Sequence, residues 1–211
     1  IGLQKHQINN GLFKKPTDFV GVVQEEFSTA NFIELAYSKQ GLKYLEKVQC
    51  LDLHQQKHIN VKYDLKQDRV VFIVRELNSN RIVNAVGRTM KTDGKPKWYK
   101  YAKTSADYKI GSGKIAIVVE DIPSACVASK LSNVVGISMC GTVLSENLYQ
   151  HLLQEGYDKV WICLDKDAAL KSMYICDILK TKVNYVGVLF PEMDLKNMNA
   201  DQLEDFIYQH G

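Results

Sequence analysis

Apolar residues change their spacing along this chain, and each change predicts a different kind of element. From about Glu25 to Lys47 they recur at helical intervals, through Phe32, Leu35, Ala36, Leu42 and Leu45, which predicts two helices separated at Gly41. Val70 to Val74 is an unbroken β-branched and aromatic run. Asn78-Ser79-Asn80 then reads as a turn and Ile82 to Val86 as a returning strand. Lys91 to Pro96 is a second turn, leading into Lys97-Trp98-Tyr99-Lys100-Tyr101. From Lys114 onward strands alternate with helices, with strands expected near 115–119, 134–138, 160–164 and 184–190. Helices are expected near 123–131, 144–155, 168–180 and 200–209. Pro123 is compatible with a first helical turn, and Gly156 with a helix end. Asn199 followed by Gln202 forms a capping-box pattern.

The fold class that follows is α/β, α+β overall. A basic, β-rich unit over 1–112 precedes an α/β unit over 113–211 whose mainly parallel sheet is flanked by helices. The runs Ile115–Val119 and Val160–Leu164 suit central strands buried on both faces. Residues 1–24, with Asn9-Asn10-Gly11 and Lys14-Lys15-Pro16, read as a linker or loosely packed arm.

With 211 residues, 45% of them hydrophobic and 24% charged, the composition is that of a globular protein with a real core. No apolar stretch approaches the roughly 20 residues needed to span a bilayer, and no signal-peptide pattern is present. A start at Ile1 rather than Met points to a fragment of something longer. Cys50, Cys126, Cys140, Cys163 and Cys176 are odd in number and sit mostly in apolar surroundings, as expected of reduced thiols in a cytoplasmic protein.

Charge is unevenly divided. Residues 1–114 carry 20 Lys/Arg against 11 Asp/Glu, whereas residues 115–211 carry 7 against 13. The most basic stretch, Arg81 to Lys114, holds nine basic and two acidic residues. A basic half beside an acidic half suits an enzyme acting on a polyanion, although a basic face can also be merely solvated.

The acids carry the candidate chemistry. The Ile115–Val119 run ends on Glu120, and Val160–Leu164 ends on Asp165-Lys166-Asp167. Residues two apart on an extended segment point the same way, so Asp165 and Asp167 can serve one spot, faced by Glu120 from a neighbouring strand. The carboxyl ends of parallel strands are where ligands bind in open α/β sheets. Three converging carboxylates suit Mg²⁺ or Mn²⁺. Taken singly, Asp167 before the Ala168 helix or Asp121 before Pro123 reads equally well as a helix N-cap.

Val119-Glu120 with Ser124-Ala125, then Gly141-Thr142, then Leu164-Asp165-Lys166-Asp167-Ala168-Ala169 resembles the Toprim pattern of primases, topoisomerases and some nucleases. The resemblance covers roughly Gly113 to Gly211 and implies a general acid/base or metal role for Glu120. It also implies metal binding by Asp165 and Asp167, with a further acid at Asp194 or, two residues away, Glu192. The sequence departs from the pattern at Asp121, where glycine is usual, at Ser124, and at Ala169-Leu170-Lys171. Upstream, Arg81 to Arg88 followed by Lys95-Pro96-Lys97-Trp98-Tyr99 is similar to the basic subdomain of phage and bacterial primases, including primase–helicases.

That likeness implies a DNA primase polymerase domain making RNA primers on a single-stranded DNA template from ribonucleoside triphosphates, alongside a replicative helicase, fused or separate. Arg88, Lys97, Lys100 and Lys103 would contact nucleic acid or nucleotide phosphates, and Trp98, Tyr99 and Tyr101 would stack on bases. The same aromatics can equally be ordinary sheet packing. A Toprim nuclease and a non-catalytic single-stranded-DNA-binding module are the alternatives. Gly111-Ser112-Gly113-Lys114 precedes a strand rather than following one, so it reads as a turn and not a phosphate loop. His54 and His58 share a helical face without any CxxC partner, which argues against zinc. A primase without its usual zinc module would be truncated, assisted by a separate polypeptide, or different in how it reads templates.

Overall fold

The computed structural model describes residues 27–209; the expected arm over 1–24 lies outside them. Among the described residues, two five-stranded sheets form the framework. The first contains β1 (Ile33–Glu34), β2 (Val61–Asp64), β3 (Arg69–Arg75), β4 (Ile82–Thr89) and β5 (Trp98–Lys100), antiparallel and in sequence order. Period-two alternation gives it two apolar faces. Val70, Phe72, Val74 and Val86 point into the main core. Val71, Ile73 and Ala85 point outward, where Phe27, Phe32 and Tyr101 cover them.

The second sheet contains β6 (Tyr108–Gly111), β7 (Ile115–Val119), β8 (Val134–Ser138), β9 (Lys159–Ile162) and β10 (Val186–Val188). Their spatial order is β10-β9-β7-β8-β6, parallel except for β6, which runs antiparallel to β8 at one edge. The continuous apolar runs are buried on both sides, as their composition predicts. Ile117, Val119 and Trp161 face the core shared with the first sheet, and Ala116, Val118, Val160 and Ile162 face a second cluster.

Six helices cover these sheets: α1 (Lys39–Lys47), α2 (Leu51–Gln55), α3 (Ile122–Ala128), α4 (Glu146–Gln154), α5 (Ala169–Lys180) and α6 (Ala200–Gln209). For α3, α4 and α6 the ends are the ones the sequence signals. Pro123 lies in the first turn of α3, and Gly156 follows α4 at φ 63°. The Gln202 amide donates to Asn199 Oδ1 at 2.8 Å, while the Asn199 amide donates to Gln202 Oε1 at 3.0 Å.

The expectation of two helices separated at Gly41 needs correction. Ile33–Glu34 is a strand, Leu35–Tyr37 a single 3-10 turn, and Gly41 lies inside α1, whose first turn is capped by Ser38 Oγ accepting from the Gly41 amide. Gly41 serves close approach rather than a break, since a Cβ there would sit 2.6 Å from Leu35 Cδ1. Strands β2 and β6 and helix α2 are short enough to escape the periodicity argument. The second sheet therefore begins at Tyr108, before the boundary expected at Gly113.

The two halves are tied together. Leu35, Leu45 and Phe72 belong to the same buried cluster as Ile117, Ile122, Trp161 and Leu203. Lys130 Nζ pairs with Asp52 at 2.8 Å, and His151 Nδ1 lies 2.8 Å from Asn78 Oδ1. Among the described residues, no helix is long and apolar enough to cross a membrane.

A shared core predicts one unfolding transition. Each sheet holds one tryptophan, Trp98 in the first and Trp161 in the second. The single-tryptophan variants Trp98→Phe and Trp161→Phe should therefore each unfold in guanidinium in a transition that coincides with loss of helical circular dichroism. A midpoint for Trp98 fluorescence well below that of the circular dichroism would show that the first sheet melts alone.

Candidate metal centre

Parallel pairing of β7 with β9 aligns Val118 with Ile162, so the residues after both strands emerge on one rim of the sheet. Glu120 leaves β7 there, and Asp165 and Asp167 leave β9. One carboxylate oxygen from each lies within 4.8 Å of those of the other two. The main chain fixes this meeting. Glu120 Oε1 accepts from the Asp165 amide at 3.1 Å, and the Glu120 carbonyl accepts from the Ser138 hydroxyl at 2.9 Å and the Gly141 amide at 3.0 Å. Asp165 and Asp167 make no capping bond to the turn over Lys166–Ala168 or to α5. Their oxygens are not committed to the helix. Asp121 is the acid that caps, accepting from the Ser124 amide at 2.9 Å.

Gathering like charges has a cost that is visible in the titration of the site. Burial, then the Asp165 charge, push Glu120 up to about 6. Asp165 is raised as well, by burial and then by Asp194, with Asp121 and Asp167 adding to it. Three oxygen donors that repel one another when ionised form the donor set a hard divalent cation satisfies.

Two lysines border the triad. Lys171 reduces the shift on Glu120 and donates to Thr142 Oγ1 at 2.7 Å. Lys196 bridges Asp121 and Asp194, with 2.6 Å to the latter. Burial disfavours the charged form of Lys196, but the charges and hydrogen bonds of Asp121 and Asp194 outweigh it and raise its pKa. The Asp194 carboxylate is thus engaged by Lys196 and stands outside the close trio, although near enough to act on Asp165. Glu192 is exposed. The turn Leu195–Asn197 that carries Lys196 is held from the other half of the protein, because the Gln49 side-chain amide donates to the Lys196 and Met198 carbonyls at 3.0 and 2.7 Å.

The basic residues of the first sheet fall into two groups. Arg88 and Trp98 are register partners on the face that looks toward the core, where the Arg88 guanidinium lies 5.4 Å from the indole centroid and Phe72 packs behind it. Trp98 is half-buried and already stacked. Lys100 shares its face and acts on Asp107 and Cys140, the latter next to the Gly141 that bonds Glu120. Tyr44 lies close enough to both Arg88 and Asp121 for each charge to shift it. Arg88 and Lys100 therefore share the inner face of the first sheet, the one turned toward the core common to both sheets. Tyr99 points the other way, partly exposed, with Arg69 over its ring and Tyr101 at its edge. Lys97 and Lys103 are exposed at the ends of this region. Tyr101 is not a free stacking surface, since its hydroxyl donates to Asp64 at 2.6 Å and its ring packs on Phe32.

No known protein family matches the sequence, and no curated protein matches it. Solved structures do. The fold is similar to the Aquifex aeolicus primase, zinc binding and RNA polymerase domains, at 21% identity and TM-score 0.54, over 84% of this chain and 50% of that one. It is also similar to the DnaG catalytic core, at 17% identity and TM-score 0.52, over 78% and 62% of the two chains. The RNA polymerase domain of Mycobacterium tuberculosis primase DnaG matches at 16% identity and TM-score 0.53, over 80% and 62%. The chain spans 50 to 62% of these neighbours' lengths. At such identities the likeness is one of fold, and the fold is primase-like.

The repulsion at Glu120 gives a prediction about stability. Its folded pKa of about 6 lies above the ordinary 4.5, so between these pH values the folded state holds more protons than the unfolded one. Stability contributed by this group is present below about pH 4.5 and is lost as pH rises through about 6. In chelator at pH 7.5, Glu120→Gln should be more stable than the wild type by on the order of 1 kcal/mol, discounted for partial exposure. The difference should vanish near pH 4. Adding Mn²⁺ at pH 7.5 should raise the wild-type melting temperature more than the variant's. A variant less stable than the wild type in chelator at pH 7.5 would contradict the assigned strain.

Proposed function

We propose that this chain is the catalytic part of a Toprim-type DNA primase, joining ribonucleotides on a single-stranded DNA template with Mg²⁺ or Mn²⁺ as cofactor. The observation that carries the reading is the convergence of Glu120, Asp165 and Asp167 at the carboxyl ends of adjacent parallel strands, beside a basic sheet. The primase-like fold supports it independently.

The chemistry assigns each group a task. Glu120, Asp165 and Asp167 would hold the ion. A divalent cation at these oxygens supplies charge that eases deprotonation of a 3′-hydroxyl and offsets the negative charge of the phosphate and departing pyrophosphate. Arg88 and Lys100, on the inner face of the first sheet, neutralise phosphates of the incoming nucleotide or of the template. Lys97 and Lys103 extend the cationic surface. Tyr99 offers a partly exposed ring for a base, whereas Trp98 orients Arg88 by stacking beneath it. If Asp165 and Asp167 alone hold the ion, Glu120, fixed by the Asp165 amide, would instead take or return a proton as the hydroxyl reacts.

The deciding assay combines single-stranded DNA, labelled ribonucleoside triphosphates and Mn²⁺. Short labelled oligoribonucleotides are expected, and Asp165→Asn or Asp167→Asn should lower their formation by at least about 100-fold. DNA shortening without primer synthesis would assign the same acids to a nuclease. Retention of single-stranded-DNA binding with neither activity would leave a binding module.

The basic residues generate a separate expectation. Arg88→Ala and Lys100→Ala should each weaken DNA binding at every sequence and lower the slope of log affinity against log salt by about 1. An unchanged slope in both variants would remove these side chains from the nucleic-acid path.

A further inference from the structure

Five carboxylates, from Glu120, Asp121, Asp165, Asp167 and Asp194, interact at one rim, and two ammonium groups, from Lys171 and Lys196, interact with them. Three negative charges remain. One divalent ion leaves a single negative charge, whereas two would make the rim positive. The arrangement of Lys196 explains why the balance falls this way.

Its ammonium is shared between two carboxylates, pairing with Asp121 Oδ2 and Asp194 Oδ2. The Lys196 and Asp121 side chains are only 19% and 14% exposed, which separates this from a loose surface pair. Both Asp121 oxygens are engaged, Oδ1 by the Ser124 amide and Oδ2 by the ammonium. The backbone that bears it is also tethered. Gln49 grips the carbonyls of Lys196 and Met198, which fixes the turn from the opposite half. Asp121 directly follows Glu120 in the chain, which puts this bridge next to the close trio of acids.

We propose that Lys196 is a built-in cation occupying the second cation position of the rim, so that this chain takes one divalent ion at Glu120, Asp165 and Asp167 and no second ion at Asp121 and Asp194. The inference rests on the metal-binding reading of those three acids. Lys196 is a positioning residue here. It engages one oxygen each of Asp121 and Asp194, and it supplies as a fixed charge what a second, exchangeable ion would otherwise bring. Removing it frees Asp121 Oδ2 and Asp194 Oδ2 beside Asp165, an oxygen set that suits a second hard cation.

The test counts ions rather than turnover. Equilibrium dialysis with Mn²⁺, read by electron paramagnetic resonance of the free ion, should give one bound ion per wild-type chain at saturation. Lys196→Ala should bind two, and Lys196→Arg, which keeps the charge, should bind one. Two ions on the wild type, or one on a folded Lys196→Ala, overturns the inference while leaving the metal-binding trio intact. No ion on the wild type overturns the trio itself, and the inference with it. Thermal melts in Mn²⁺ check folding, and if Lys196→Ala does not fold, Lys196→Gln and the wild-type count decide the matter.

Discussion

Carboxylates brought together in a partly dry place repel one another, and the architecture of the second sheet is what holds them there. Parallel pairing of β7 and β9 delivers Glu120 and Asp165 to the same rim, and the hydrogen bond from the Asp165 amide to Glu120 removes their freedom to part. The backbone bonds from Gly141 and the hydroxyl of Ser138 anchor the end of β7 at the same point. The force opposing this assembly is small beside the burial of Ile117, Val118, Ile162 and Leu164 directly beneath it. A strongly apolar strand pair can therefore carry a strained polar tip, which a soft or exposed strand could not.

The first sheet contributes in a different currency. Its inner face is a packing surface that also carries charged residues on its last two strands. Arg88 and Lys100 are useful because Trp98 and Phe72 fix the strands that bear them. The basic half and the acidic half are thus not two modules in series. They share one core.

Much of this was legible from residue order. The unbroken runs at 115–119 and 160–164 announced buried parallel strands, and acids at both run ends announced the trio. The capping residues of α3 and α6 were equally plain. What escaped has physical reasons. The stretch before Ser38 shows helical spacing, yet Ile33 and Glu34 pair with β2 because a distant strand offers backbone partners that spacing alone cannot foresee. Strand β6 is four residues long, and its antiparallel place beside β8 depends on tertiary pairing. Lys196 was invisible as a site residue, since a lysine two positions after an acid is commonplace. Its meaning comes from Asp121, 75 positions away in the chain.

Gln49 adopts a left-handed backbone, φ 57°, in the connection between α1 and α2, and from there it reaches across to grip the main-chain carbonyls of Lys196 and Met198. Any rotation of one half against the other must either snap that clasp or drag the ammonium along with it. The turn that carries this charge is in this way geared to the placement of the connection between α1 and α2.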